Sequence, residues 1–208
     1  MPHLLRWFRA MPHRQCSICV ATSFRFPAAR PRSAAMPNAP FSLHPLDLGG
    51  IYVLDMPPAR AELTLSITFD AAIFLDLGTG VWPPCGSREE TVKASRWVFH
   101  RQTGPKGAIV NVDDAEGRRV FDDLVSKADQ VVIPISGRSR AANGVYVAGN
   151  VLYDDLGGRA DAVTDLPRGE NGEAPLEPLL AAAAYAAAVM LDIPKHAAMA
   201  SLRSANLS

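Results

Sequence analysis

Few residues in this 208-residue chain have the type and spacing to do chemistry. Cys16 and Cys19 form a lone C-x-x-C. A zinc site needs about four ligands, and no second Cys or His pair follows at suitable spacing. A thiol redox motif should close a strand and open a helix, which this stretch does not suggest. Gly104-Pro105-Lys106-Gly107 joins glycine to lysine but reads as a turn between a helix and a strand. No G-x-x-x-x-G-K-[S/T] occurs, so no run of backbone N–H groups backed by a lysine is visible for nucleotide phosphates. Asp55 closes a β-rich run and reads as a strand-end acid bonded to backbone. His196 reads as a surface residue of the last helix, and Lys93 as a solvated helix lysine.

The elements that must position these groups follow from periodicity. Gly50-Ile51-Tyr52-Val53-Leu54-Asp55 and Asp70-Ala71-Ala72-Ile73-Phe74-Leu75-Asp76 read as buried strands. Ser87 followed by Glu90 has capping-box spacing, so a helix is expected from there to about Arg101, broken by Gly104-Pro105. Gly107 to Val112 predicts a third strand. Val120, Phe121, Leu124 and Val125 predict a helix, and Val131 to Ile135 a fourth strand, at an end or edge because of Pro134. Val145-Tyr146-Val147 and Val151-Leu152-Tyr153 predict a hairpin around Ala148-Gly149-Asn150. A further strand is expected over 160–164 and a loop over 165–178. An Ala-rich helix then spans Leu179–Leu191, and a last helix runs from Lys195 to about Arg203. This alternation implies an α/β fold, a mostly parallel sheet with flanking helices plus a small antiparallel hairpin.

Composition sets outer bounds. Hydrophobic residues make up 48% and charged residues 20%, which fits a globular protein rather than a disordered one. Residues 1–46 hold six arginines and no acid, leaving 15 basic against 21 acidic side chains in the rest. A Pro- and Arg-rich extension of that kind reads as disordered. Too few aromatics interleave with its arginines to make a nucleic-acid stacking surface, so nucleic acid is not an expected partner. Three cysteines suit a reducing cytosol. The longest apolar run, Leu179 to Leu191, is shorter than the roughly 20 residues a bilayer requires, so no membrane span is expected.

Particular words add to this order. Gly50–Met56, Phe69–Leu75, Gly86-Ser87-Arg88-Glu89-Glu90, Gly107–Asp114, Val132–Ser136, Gly144–Leu156 and Ala181–Ala188 resemble, in sequence and spacing, the second half of a Mur ligase central domain. They are most similar to the branch that joins D-glutamate to UDP-N-acetylmuramoyl-L-alanine. The similarity covers about residues 48–204, so a partial central domain is expected over 48–206, after the 1–46 extension.

The resemblance implies ATP-dependent peptidoglycan precursor synthesis in the cytoplasm, with ATP and Mg as cofactors and UDP-N-acetylmuramoyl-L-alanine and D-glutamate as substrates. In that reaction a carboxylate is phosphorylated and an amine attacks the acyl phosphate, with magnesium shielding the phosphoryl charge. By match to the family, Asp55 holds the place of a magnesium-binding glutamate. Asn171 falls in the family's nucleotide-contacting stretch, here Leu166-Pro167-Arg168-Gly169-Glu170-Asn171. Other matched positions depart from the pattern. Gly80 and Val81 stand where the family has an aspartate and a metal-binding histidine, and Pro57 and Pro58 where it has serines. Ser95 takes the place of the lysine that is carbamylated to bridge magnesium ions. Lys93, two residues away, is turned about 200° around the helix from it. These departures imply a chemically inactive fragment of the fold. The alternative is a non-catalytic module that binds a nucleotide sugar or a ligase partner.

Overall fold

The computed structural model describes residues 17–23, 32–34, 51–55, 69–76, 87–100, 102–167 and 177–204. Nine strands lie among them: β1 (Ser17–Ser23), β2 (Arg32–Ala34), β3 (Ile51–Asp55), β4 (Phe69–Asp76), β5 (Gln102–Asn111), β6 (Val131–Ser136), β7 (Val145–Ala148), β8 (Val151–Asp154) and β9 (Asp161–Asp165). Four helices join them: α1 (Arg88–His100), α2 (Ala115–Lys127), α3 (Pro178–Met190) and α4 (Lys195–Ser204). The strands form one mixed sheet in the order β2-β3-β1-β4-β5-β6-β7-β8-β9.

The α/β architecture follows from the apolar pattern. Strands β4, β5, β6 and β7 pair in parallel, because each of the first two crossovers carries a helix that returns the chain to the same edge. Ala71, Ile73 and Leu75 point to one face, and Ala72 and Phe74 to the other. Side chains alternate along a strand, so a run buried on both faces must be apolar throughout. Helices α1 and α2 cover one face, packing Val98, Phe99, Val120 and Leu124 against Phe69, Phe74 and Val110. Helix α3 covers the other, set against Ile73, Ile109, Ile135 and Leu152, with Leu202 of α4 in the same cluster. Full burial of one such side chain contributes roughly 1.5–3 kcal/mol. From Leu180 to Ala188 every residue of α3 is buried, and its alanines let the helix backbone approach the sheet closely.

Antiparallel pairing extends the parallel centre on both sides. Strand β8 pairs antiparallel with β7 and β9. Strand β1 lies antiparallel between β3 and β4, and β2 runs parallel to β3.

Four details differ from the reading of the sequence. First, β1 and β2 fall inside the 1–46 stretch expected to be disordered. Ile18, Val20 and Thr22 alternate as β-branched residues, a pattern suited to pairing between two strands, and the arginine and proline content around them hid it. The rest of 1–46 lies outside the described residues. Second, the Gly104–Gly107 turn lies within β5. Phe69 pairs with Gln102 and Ala71 with Gly107, so β5 advances five residues while β4 advances two. The Gln102 amide donates to the Gly107 carbonyl at 2.7 Å across the base of this bulge. Third, Pro134 is in a central strand. It precedes the first β6–β7 pair, Ile135 with Val145, so no ladder bond to β7 needs its absent N–H. Fourth, the hairpin turn has two residues rather than three, since Ala148 pairs with Val151. Gly149 and Asn150 both adopt positive φ (56° and 71°), the turn whose twist matches that of the strands. The Asn150 amide also donates to the Leu166 carbonyl at 2.6 Å, tying the turn to the end of β9.

Candidate functional site

In open α/β sheets, ligands sit outside the carboxyl ends of the parallel strands. Here that edge is built from the end of β5 and the residues that follow it. Asn111 is buried, and its amide donates to the Leu75 carbonyl of β4 at 2.7 Å. Its side-chain Oδ1 accepts from the Asp113 N–H at 2.9 Å. Asp113 reaches the end of β6: Oδ1 accepts from the Ser136 hydroxyl at 2.5 Å and Oδ2 from the Gly137 N–H at 2.8 Å. The same Ser136 oxygen accepts from the N–H groups of Arg138 and Ser139, at 3.1 and 2.9 Å.

Asp114 turns the chain into α2. Its backbone is extended (φ −114°, ψ 169°) and Oδ1 accepts from the Gly117 N–H at 2.7 Å. That cap also places a carboxylate at the positive end of the helix dipole. Gly117 must lack a side chain, because a Cβ there would stand 1.8 Å from the Asn111 carbonyl oxygen. Arg118 closes the network, donating to the carbonyls of Val112 and Asp113 at 2.8 and 3.2 Å. The Asn111-Val112-Asp113-Asp114 word thus locks β4, β5, β6 and α2 into one rigid edge. Its polar atoms are committed to that task. Ser136 donates its proton to Asp113 and accepts two N–H groups, which leaves it no role as a free nucleophile.

Helix α1 carries the position matched to a carbamylated lysine. The capping spacing predicted in the sequence is present, with the Glu90 N–H donating to Ser87 Oγ at 3.1 Å. One turn on, Thr91 Oγ1 donates to the Ser87 carbonyl at 3.0 Å. Ser95 is fully buried, and its hydroxyl donates to the Thr91 carbonyl at 2.7 Å. A carbamate needs an amine, and this position has none. Lys93 is exposed on another side of the helix, as its offset predicts.

Strand β3 points the same way as β4, since both run antiparallel to β1. Asp55 therefore ends at the carboxyl edge, with β1 interposed, roughly 10 Å from β4 at two strand spacings. Cys19 pairs with Asp55 on one side and Ile73 on the other, so Asp55 is level with Ile73 rather than with Asp76 at the end of β4. Cys19 itself sits inside β1, not at a helix start. Asn171, Gly80, Val81 and Cys16 lie outside the described residues. His196 is exposed on α4. Among the described residues, no three His, Cys, Asp or Glu side chains stand close enough to hold one metal ion. Of the matched positions, Ser95 has its side chain described; its hydroxyl donates within its own helix, and a serine there does not fit a carbamate that bridges magnesium ions.

A second polar cluster, not anticipated from the sequence, lies where β8 ends against α3 and α4. Asp154 is buried, and Oδ2 accepts from Lys195 Nζ at 2.7 Å and the Tyr185 hydroxyl at 3.1 Å. The Leu156 N–H donates to Oδ1 at 3.1 Å. Burial pushes the Asp154 carboxyl up, but the hydrogen bonds from Lys195, Leu156 and Tyr185 together with the lysine charge outweigh it, and the group lies below its ordinary value. Tyr185 moves the other way: burial and the adjacent carboxylate hold its phenol well above the usual tyrosine range. The next residue, Asp155, is 1% exposed and accepts two bonds from Arg140 on Oδ2, at 3.1 and 2.9 Å. The signal in the sequence was the acid pair closing an apolar hairpin strand, because buried carboxylates require partners. The partners come from 31 and 41 residues away, and no local pattern names them.

No protein-family model matches the chain. Among curated proteins it is 32% identical over 145 residues to the UDP-N-acetylmuramoylalanine–D-glutamate ligase of Phenylobacterium zucineum (strain HLK1), covering 70% of this chain and 31% of that one. It is 31% identical over 156 residues to the ligase of the same name from Caulobacter sp. (strain K31), covering 75% and 33%. The chain thus spans about a third of the length of the curated relatives it matches. Among solved structures, MurF from Acinetobacter baumannii aligns with a TM-score of 0.49 at 15% identity, over 74% of this chain and 33% of that one.

Proposed function

We propose, from the premise that this chain belongs to the Mur ligase family, that it is a non-catalytic member. Within residues 48–206, the span proposed as a partial central domain, it carries strands β3 to β9 and the flanking helices, and β1 and β2 of the preceding stretch join the same sheet. In this reading the chain derives from the D-glutamate-adding branch, with UDP-N-acetylmuramoyl-L-alanine, D-glutamate, ATP and magnesium as the reactants of that branch and the cytoplasm as its place. No helix among the described residues is long and apolar enough to cross a membrane.

The observation that carries the proposal is Ser95. The family's chemistry asks for an amine at that point of α1, and the chain has a buried hydroxyl bonded to its own helix at 2.7 Å. Phosphoryl transfer rests on positioning and on cations set against the developing charge. Without the bridging ligand, and with valine at position 81 in place of the matched histidine, the cation loses much of its hold. The test is phosphate release by the purified chain with ATP, magnesium, UDP-N-acetylmuramoyl-L-alanine and D-glutamate. The expected result is release no faster than in buffer. Turnover that disappears in Asp55→Ala would overturn the proposal.

A second reading is favoured by the carboxyl edge. Asn111, Asp113, Ser136 and Gly137 hold that edge in one arrangement, which suits binding without catalysis. In this reading the chain is a module for the nucleotide sugar or for a ligase partner. Calorimetry with UDP-N-acetylmuramoyl-L-alanine and pull-down with a full-length D-glutamate-adding ligase separate the two. Binding to neither removes this reading.

A further inference from the structure

We draw no further inference here: the strongest candidate, the Asp155 carboxylate buried beneath the loop between β6 and β7 with Oδ1 lacking a hydrogen-bond partner, already has Arg140 on its other oxygen, and nothing in the structure shows what could reach or cover the enclosed atom.

Discussion

Replacing Gly117 with alanine sets two physical effects of opposite sign against each other. Gly117 is in the first turn of α2, and alanine in a helix is ordinarily more favourable than glycine by about 1 kcal/mol. The close approach to Asn111 opposes this. A Cβ at position 117 would stand 1.8 Å from the Asn111 carbonyl oxygen and 3.0 Å from its carbon, both backbone atoms. Ordinary contact distances require roughly 1 Å or more of movement. Neither side can yield freely. Asn111 is buried and bonded to β4, and α2 is tied to the same edge through Asp114. Forcing an extra carbon into such a site costs about 1–3 kcal/mol, and losing the Asp114 cap adds about 1 kcal/mol. Set against the propensity gain, the expected net loss is about 1–3 kcal/mol. For a chain of this size that lowers Tm by roughly 2–12 °C.

The assay is thermal and urea unfolding of Gly117→Ala beside Asp114→Ala, which removes the cap without adding bulk. Gly117→Ala should be the less stable of the two whenever the clash dominates. A Gly117→Ala protein as stable as the parent, or more so, would refute the reasoning. It would show that α2 can move away from β5, and that the carboxyl edge is not the rigid unit described.

Other perturbations test different parts of the structure. Ala128 closes α2 in the left-handed region at φ 51°, with its N–H on the Val125 carbonyl. Ala128→Gly should therefore raise stability by about 1 kcal/mol, and an unchanged or lowered urea midpoint counts against that backbone. Asp154 has a depressed carboxyl pKa, so its contribution is complete above the ordinary carboxylate value near 4 and is lost as pH falls through the lower folded value. The stability gap between the parent and Asp154→Asn should stay constant from about pH 7 to 5 and shrink below about pH 4. A gap that widens on acidification would contradict the assigned partners. Ser95→Lys tests the proposed loss of function. The site is fully buried, so a lysine there should destabilise the fold by several kcal/mol on order of magnitude and restore no phosphate release. Recovered turnover would mean that one substitution separates this chain from an active ligase.

Much of the centre was legible from residue order. The central runs of β4, β5 and β6 (Ala71–Leu75, Ala108–Val110 and Ile133–Ile135) are apolar throughout, because both faces are covered there, and the helical faces of α1 and α2 show in the spacing of their apolar residues. Ser87 and Glu90 marked the start of α1 by a bond that spans three residues. What escaped the sequence was non-local. Ser17–Ser23 carries alternating β-branched residues, yet its insertion between β3 and β4 depends on pairing with residues 28 to 59 positions away. Pro134 argued for an edge, and only the late start of the β7 pairing explains its central place. For the site, the serine at position 95 was visible in the sequence, and its proposed match to a family lysine rests on spacing. That its hydroxyl is spent on the Thr91 carbonyl required coordinates.

By itself, then, the sequence determined the fold class, the family resemblance and the residue types on which the proposed loss of ligand chemistry rests, because apolar periodicity and residue type are local properties. Tertiary structure alone decided which strands are neighbours, which polar groups are committed to holding the carboxyl edge, and that Asp154 meets Lys195 and Tyr185. Those outcomes depend on contacts between distant segments, formed when burial forces every carboxylate, amide and hydroxyl to find a partner.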